Sequence, residues 1–152
     1  MKLAEALVLR ADHQQRIAQL RARLQRNAKV QEGERPAEEP VALLSEFDAL
    51  TSELIQLIRR INITNSATLV GDRSMTEALA TRDVLKIRHA TYRDLAESGT
   101  ITHAIISRSE VRFKPTIDVA EIQKSADAIA RELRELDARI QETNWLTEMR
   151  ES

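Results

Sequence analysis

The chain has 152 residues, of which 42% are hydrophobic and 31% charged, with a formal net charge of −1 and no cysteine. Lack of cysteine excludes disulfides, thiolate catalysis and Cys-ligated zinc or iron–sulfur centres. The near-neutral balance gives no bulk electrostatic pull toward nucleic acid or an anionic membrane. Aromatic residues make up only 3%, and Gly and Pro number three each, a composition suited to long helices that cohere through aliphatic stripes.

The opening residues, MKLAEALVLR, carry Glu5 inside a short apolar run, so no secretory leader is expected. No window approaches the ~20 apolar residues of a membrane helix. A soluble, cytoplasmic protein is the expectation, with residues 1–152 as a single helical domain.

The first predicted helix covers 3–28, with Leu3, Leu7, Ile17, Leu20 and Leu24 on one face. From Arg10 to Lys29 it carries six basic residues and one acid, Asp12. The stretch that follows is acidic (Glu32, Glu34, Glu38, Glu39, Glu46, Asp48), so an antiparallel hairpin would set opposite charges side by side. VQEGERPAEEP, residues 30–40, is a helix-breaking linker, and Pro40 suits the first turn of the next helix.

The second helix is predicted over 43–64, where Leu43, Phe47, Leu50, Leu54, Leu57 and Ile61 alternate steps of four and three. Residues 65–73 read as a loop turning at Gly71-Asp72. Ser74-Met75-Thr76-Glu77 has the spacing of a capping box and opens a third helix over 75–98, ended by Gly99. Its apolar positions, among them Leu79, Val84, Leu85, Ile87, Tyr92 and Leu95, are less regular, which suggests burial on more than one side. Over 100–115 the helical rhythm breaks. Ile, Thr and Val enrichment and the alternation of Glu110 to Lys114 predict a short β-like or extended arm, a place for contact between subunits. Thr116 or Asp118 caps a last helix over 117–146, with a stripe at Val119, Ile122, Ala126, Ile129, Leu133, Leu136 and Ile140. At 1.5 Å per residue that rod is roughly 45 Å long. The predicted class is therefore mainly all-α: an elongated bundle of four long helices, completed by another copy of the chain.

Residues 48–65 (DALTSELIQLIRRINITN) and 127–144 (DAIARELRELDARIQETN) agree at nine of eighteen positions. Shared Leu, Glu and Arg follow from amphipathic register, but the Thr-Asn pair closing each does not. Arg60, Thr64, Asn65, Arg139, Thr143 and Asn144, with Trp145 beside them, are thus a candidate polar patch. Two guanidinium groups and two amides there would bind an anion or small ligand, or lock two helix ends together.

MKLAEALVLRAD, VQEGERP, RINITN, RSEVRFKPTIDVA and RIQETNW together resemble a small bacterial family of mostly helical proteins of about this length, often labelled septicolysin or septicolysin-like. The resemblance covers essentially the whole chain. It implies no catalytic residues, and its label implies a pore-forming cytolysin. The residues offer that activity little: no cysteine for thiol activation, and one candidate for insertion, the 100–115 arm, whose two faces do not divide into apolar and polar.

Motifs for chemistry are lacking. None of His13, His89 and His103 stands in a Glu-x-x-His arrangement. There is no glycine-rich phosphate loop and no G-x-S-x-G elbow. Three functions are left open: a non-catalytic structural or interaction protein forming a homo-oligomer, a small-ligand or anion-binding protein (or an enzyme without a familiar motif) using the polar patch, and a pore former. The expectation favours the first, with no catalytic residues, no metal, no cofactor, and neither nucleic acid nor membrane as partner.

Overall fold

The structure, a computed structural model, describes residues 1–101 and 112–151. Among the described residues there are four helices, α1 (Leu3–Arg26), α2 (Pro40–Ala67), α3 (Met75–Gly99) and α4 (Val119–Leu146), and two short strands, β1 (Leu69–Val70) and β2 (Arg73–Ser74). The mainly helical class is as the periodicity predicts. The extended arm expected over 100–115 falls largely on residues 102–111, outside the described part. The chain divides into two compact units, Met1–Leu69 with Gln141–Ser152, and Val70–Ile140.

In the first unit α1 and α2 form an antiparallel hairpin. Arg23, Arg16 and His13 descend α1 while their partners Glu38, Glu46 and Glu53 ascend the facing chain. Leu20, Leu43 and Leu50 are buried together, with Ile17, Leu24 and Phe47 packed around them. Each such side chain contributes about 1.5–3 kcal/mol by leaving water. The α1 seam steps by three and four through Leu3, Ala6, the half-buried Arg10, His13, Ile17, Leu20 and Leu24 to Asn27, with Leu7 only half-buried. Helix α1 ends two residues earlier than its pattern suggests, because Asn27 caps it. The Asn27 amide donates to the Arg23 carbonyl at 2.9 Å and its Oδ1 accepts the Glu38 backbone N–H at 3.0 Å.

Helix α2 begins where Pro40 takes the first helical position after Glu39. It runs three residues past its predicted end, so Thr64 and Asn65 lie inside the helix and cap nothing. Residues 69–74 correct the reading of 65–73 as loop alone. Gly71, at φ 67°, supplies the left-handed first position of a two-residue turn, and the flanking residues pair as strands.

In the second unit α3 and α4 also run antiparallel. Arg82 Nη1 lies 3.6 Å from Asp137 Oδ1, and Gly99 lies against Ile117 and Val119. The buried seam of α3 is Met75, Ala78, Leu85 and Ala96, with Arg82, His89 and Tyr92 half-buried in the same line. This resolves the irregular pattern. The bulky aliphatics Val84, Ile87 and Leu95 face outward, at 55, 67 and 42% exposed, while Ala78, Arg82 and His89 share the seam with Met75 and Leu85. Gly99 is the last residue of α3, without a positive φ. Its place there reflects space instead, since an added Cβ would sit 2.9 Å from Ile117 Cδ1 and 3.1 Å from Val119 Cγ2.

Candidate functional site

The polar patch read from the internal echo is distributed unevenly. Thr64 is fully buried and Asn144 is 5% exposed, whereas Trp145 is 58% exposed. Arg60, Asn65 and Thr143 are half-buried and Arg139 is exposed. Arg60 and Thr64 are brought together, one turn apart on α2, against the carboxy-terminal segment. Thr64 Oγ1 donates to the Arg60 carbonyl at 2.8 Å and accepts the Arg150 backbone N–H at 3.0 Å, while Arg60 Nε donates to the Arg150 carbonyl at 3.4 Å. The Met149 sulfur lies 3.7 Å from the same hydroxyl, and Met149 is 9% exposed. Both hydrogen-bonding roles of the Thr64 hydroxyl are thus taken by this chain's own backbone.

The segment that Thr64 holds is also held by the amino terminus. Leu3 N–H donates to the Thr147 carbonyl at 2.8 Å and Met149 N–H to the Met1 carbonyl at 2.9 Å, so that Lys2 and Glu148 bridge as antiparallel strand residues. Lys2 Nζ lies 2.7 Å from Glu148 Oε1 and donates to the Leu146 carbonyl at 3.2 Å. The α-amino group lies 3.2 Å from Glu148 Oε2. Hydrogen bonds from Lys2 and from that amino group hold the Glu148 carboxyl below its usual pKa. Sequence reading missed Lys2, Glu148, Met149 and Arg150. A pairing across almost the entire chain leaves no trace in local spacing.

Two of the basic residues of α1 meet acids of the following stretch. Arg23 forms a fork on Glu38, with Nε to Oε2 at 3.0 Å, and Arg16 lies 3.9 Å from Glu46. The Arg23 hydrogen bond pulls the Glu38 carboxyl below its usual pKa, and Glu38 in turn raises that of Arg23. His13 is 6% exposed, with Nε2 3.3 Å from Glu53 Oε2 and Nδ1 without a partner. Among the described residues no three His, Asp or Glu stand close enough to hold a metal ion, and no helix is long and apolar enough to cross a membrane. In the second unit an open hollow of about 390 Å³ lies between α3 and α4, lined by Ala80, Thr81, Val84, Leu85, Arg88 and Glu132.

A family model described as a family of unknown function, DUF6847, matches residues 10–149, and the chain belongs to that family. Among solved structures it is similar to the crystal structure of a functionally unknown conserved protein from Corynebacterium diphtheriae. The two share 44% identity over 99% of each chain, with a TM-score of 0.94. No curated protein matches. Neither match carries a cytolysin name or an activity.

Proposed function

We propose that this protein is a non-catalytic structural or interaction protein that works as a helical homo-oligomer. The observation that carries the reading is the outward face of α3, where Val84 and Ile87 are 55 and 67% exposed while the seam toward α4 holds Ala78, Arg82 and His89. A helix that seats Ala78, Arg82 and His89 between Met75 and Leu85 on its own hairpin and turns its β-branched aliphatics outward is built to be covered. Covering what remains exposed of each such side chain is worth about 1–2 kcal/mol. The polar patch supports the same reading, because Thr64 and Arg60 bond to backbone at Arg150 and so lock a helix to the carboxy-terminal segment. The pairing of Arg16 and Arg23 with glutamates supports α1 as an intramolecular face rather than a nucleic-acid contact. A cysteine-free chain suits the cytoplasm. Sedimentation velocity at micromolar concentration is the test: a species of two or more chains supports the reading, and a stable monomer across that range overturns it.

A further inference from the structure

The outward face of α3 carries more than exposed aliphatics. Ala80, Val84, Ile87 and Thr91 step by four, three and four, and all four are exposed. They occupy the two seam positions of a seven-residue repeat, on the side of α3 away from its buried line at Met75, Ala78 and Leu85. That stripe covers about three turns, or ~17 Å of helix. Charge flanks it on both sides. Asp83, 66% exposed in its side chain, borders one edge, and the exposed Arg88 borders the other, at the open hollow shared with Glu132.

The partner that fits this face is a second copy of the chain. In a parallel two-stranded arrangement, the residue on one flank meets the residue five positions later on the opposite flank of the other helix. Asp83 and Arg88 are five positions apart. Resting on the homo-oligomer reading above, we infer that two copies associate through α3 in parallel, in register, with Val84 and Ile87 at the centre and Asp83 of each chain paired with Arg88 of the other. An antiparallel alignment of the same stripe sets Asp83 near Ala90 and Arg88 near Thr81, and leaves both charges without a partner across the seam. The symmetric pairing is isologous and closes at two chains.

The full chain tests this in three steps. Sedimentation of the native protein gives a dimer; a monomer overturns the inference together with the oligomer reading. The double variant Val84→Lys/Ile87→Lys, with an unchanged helical circular dichroism spectrum, dissociates at least about a hundredfold more readily. If it still dimerises like the native chain, the interface lies elsewhere: the inference falls and the oligomer reading stands. Asp83→Arg and Arg88→Asp, which leave every apolar residue in place, each weaken the dimer, and the combined swap restores it. Failure of the restoration overturns the parallel pairing. The chain has no native cysteine, so Ala80→Cys isolates the register. Oxidation links the two chains through residue 80 if they are parallel, whereas antiparallel chains hold these positions about 16 Å apart and leave them unlinked.

Discussion

Thr64 and Asn144 close two stripes that are otherwise in step. Leu43, Phe47, Leu50, Leu54, Leu57 and Ile61 on α2 correspond, seventy-nine residues later, to Ile122, Ala126, Ile129, Leu133, Leu136 and Ile140 on α4, and each is buried or half-buried. At the last step they diverge: α2 buries the Thr of its Thr-Asn pair and α4 buries the Asn. The repeated phrase therefore marks similar helices with different endings. Thr64→Val keeps the shape and removes the hydroxyl. It leaves the Arg150 N–H without its acceptor and is expected to cost about 1 kcal/mol in urea denaturation, whereas Thr64→Ser, which keeps the hydrogen bonds, loses only a methyl group's burial. Gly99 answers to a different constraint. Alanine would gain up to about 1 kcal/mol in helix propensity, but its Cβ would press on Ile117 and Val119 from three atoms at 2.9–3.1 Å. Two β-branched side chains yield poorly, and overpacking costs typically 1–3 kcal/mol. Gly99→Ala is thus expected to lower stability by about 1 kcal/mol. In an Ile117→Ala background the same change becomes neutral or stabilising, and a thermodynamic cycle of the four proteins measures the difference.

At the level of elements, helix starts and the seams of α2 and α4 were legible, and the seam of α3 was not. Pro40, Asp118 and the Ser74–Glu77 box begin helices as their chemistry dictates. Glu121 N–H donates to Asp118 Oδ1 at 3.1 Å, and Glu77 closes its box by accepting the Ser74 N–H at 2.7 Å. Local side-chain bonds of this kind depend on residues three apart, so spacing reveals them. The α3 seam was not legible, because Ala78, Arg82 and His89 carry no hydrophobic signal while Val84 and Ile87 carry a strong one on the other face. Likewise β1 and β2, two residues each, are too short for an alternation to register. The box on α3 also makes a pH prediction. Hydrogen bonds from the Ser74 backbone and hydroxyl hold the Glu77 carboxyl below its usual value of 4.5. A depressed folded-state pKa contributes stability that is fully present above the unfolded value and is lost as pH falls through the folded one. Acidification below about pH 4.5 should therefore weaken the first turn of α3 in the native chain. Glu77→Gln should be less stable at neutral pH and show a shallower loss over that acid window, as read from thermal midpoints between pH 3 and 7.

On the scale of the molecule, each unit is organised around an antiparallel helix pair, and the first is also tied at its ends. Leu3, Lys2 and Met1 bond to Thr147, Glu148 and Met149, and Thr64 bonds to Arg150, so the carboxy-terminal segment lies between the start of α1 and the end of α2. Of the echo's polar residues, Arg60 and Thr64 take part, each bonding to the Arg150 backbone at a chain end that the hairpin seam alone would leave to fray. Exposed ion pairs add little by themselves. The backbone bonds of Leu3 and Met149, and the burial of Met149 over Thr64, carry the attachment. Ending the chain after Leu146 removes the acceptor for the Leu3 amide, the donor to the Met1 carbonyl and the cover of Thr64 at once. Hydrogen exchange should then rise at the amides of the first turn of α1 and the last turns of α2, by at least about tenfold for a loss near 1.4 kcal/mol. The amides of the α3 seam, from Ala78 to Ala96, bond within their own helix and should keep their native protection. If exchange rises equally in both units, the segment supports the whole chain cooperatively rather than closing one hairpin; if neither changes, the paired ends contribute nothing to stability. Acid should reproduce part of the truncation. The Glu148 carboxylate is held below its usual pKa by the Lys2 ammonium, so its bonds persist above that value and are lost as pH falls through the folded one. Glu148→Gln should accordingly raise exchange at the same first turn of α1 at neutral pH, by less than the truncation does.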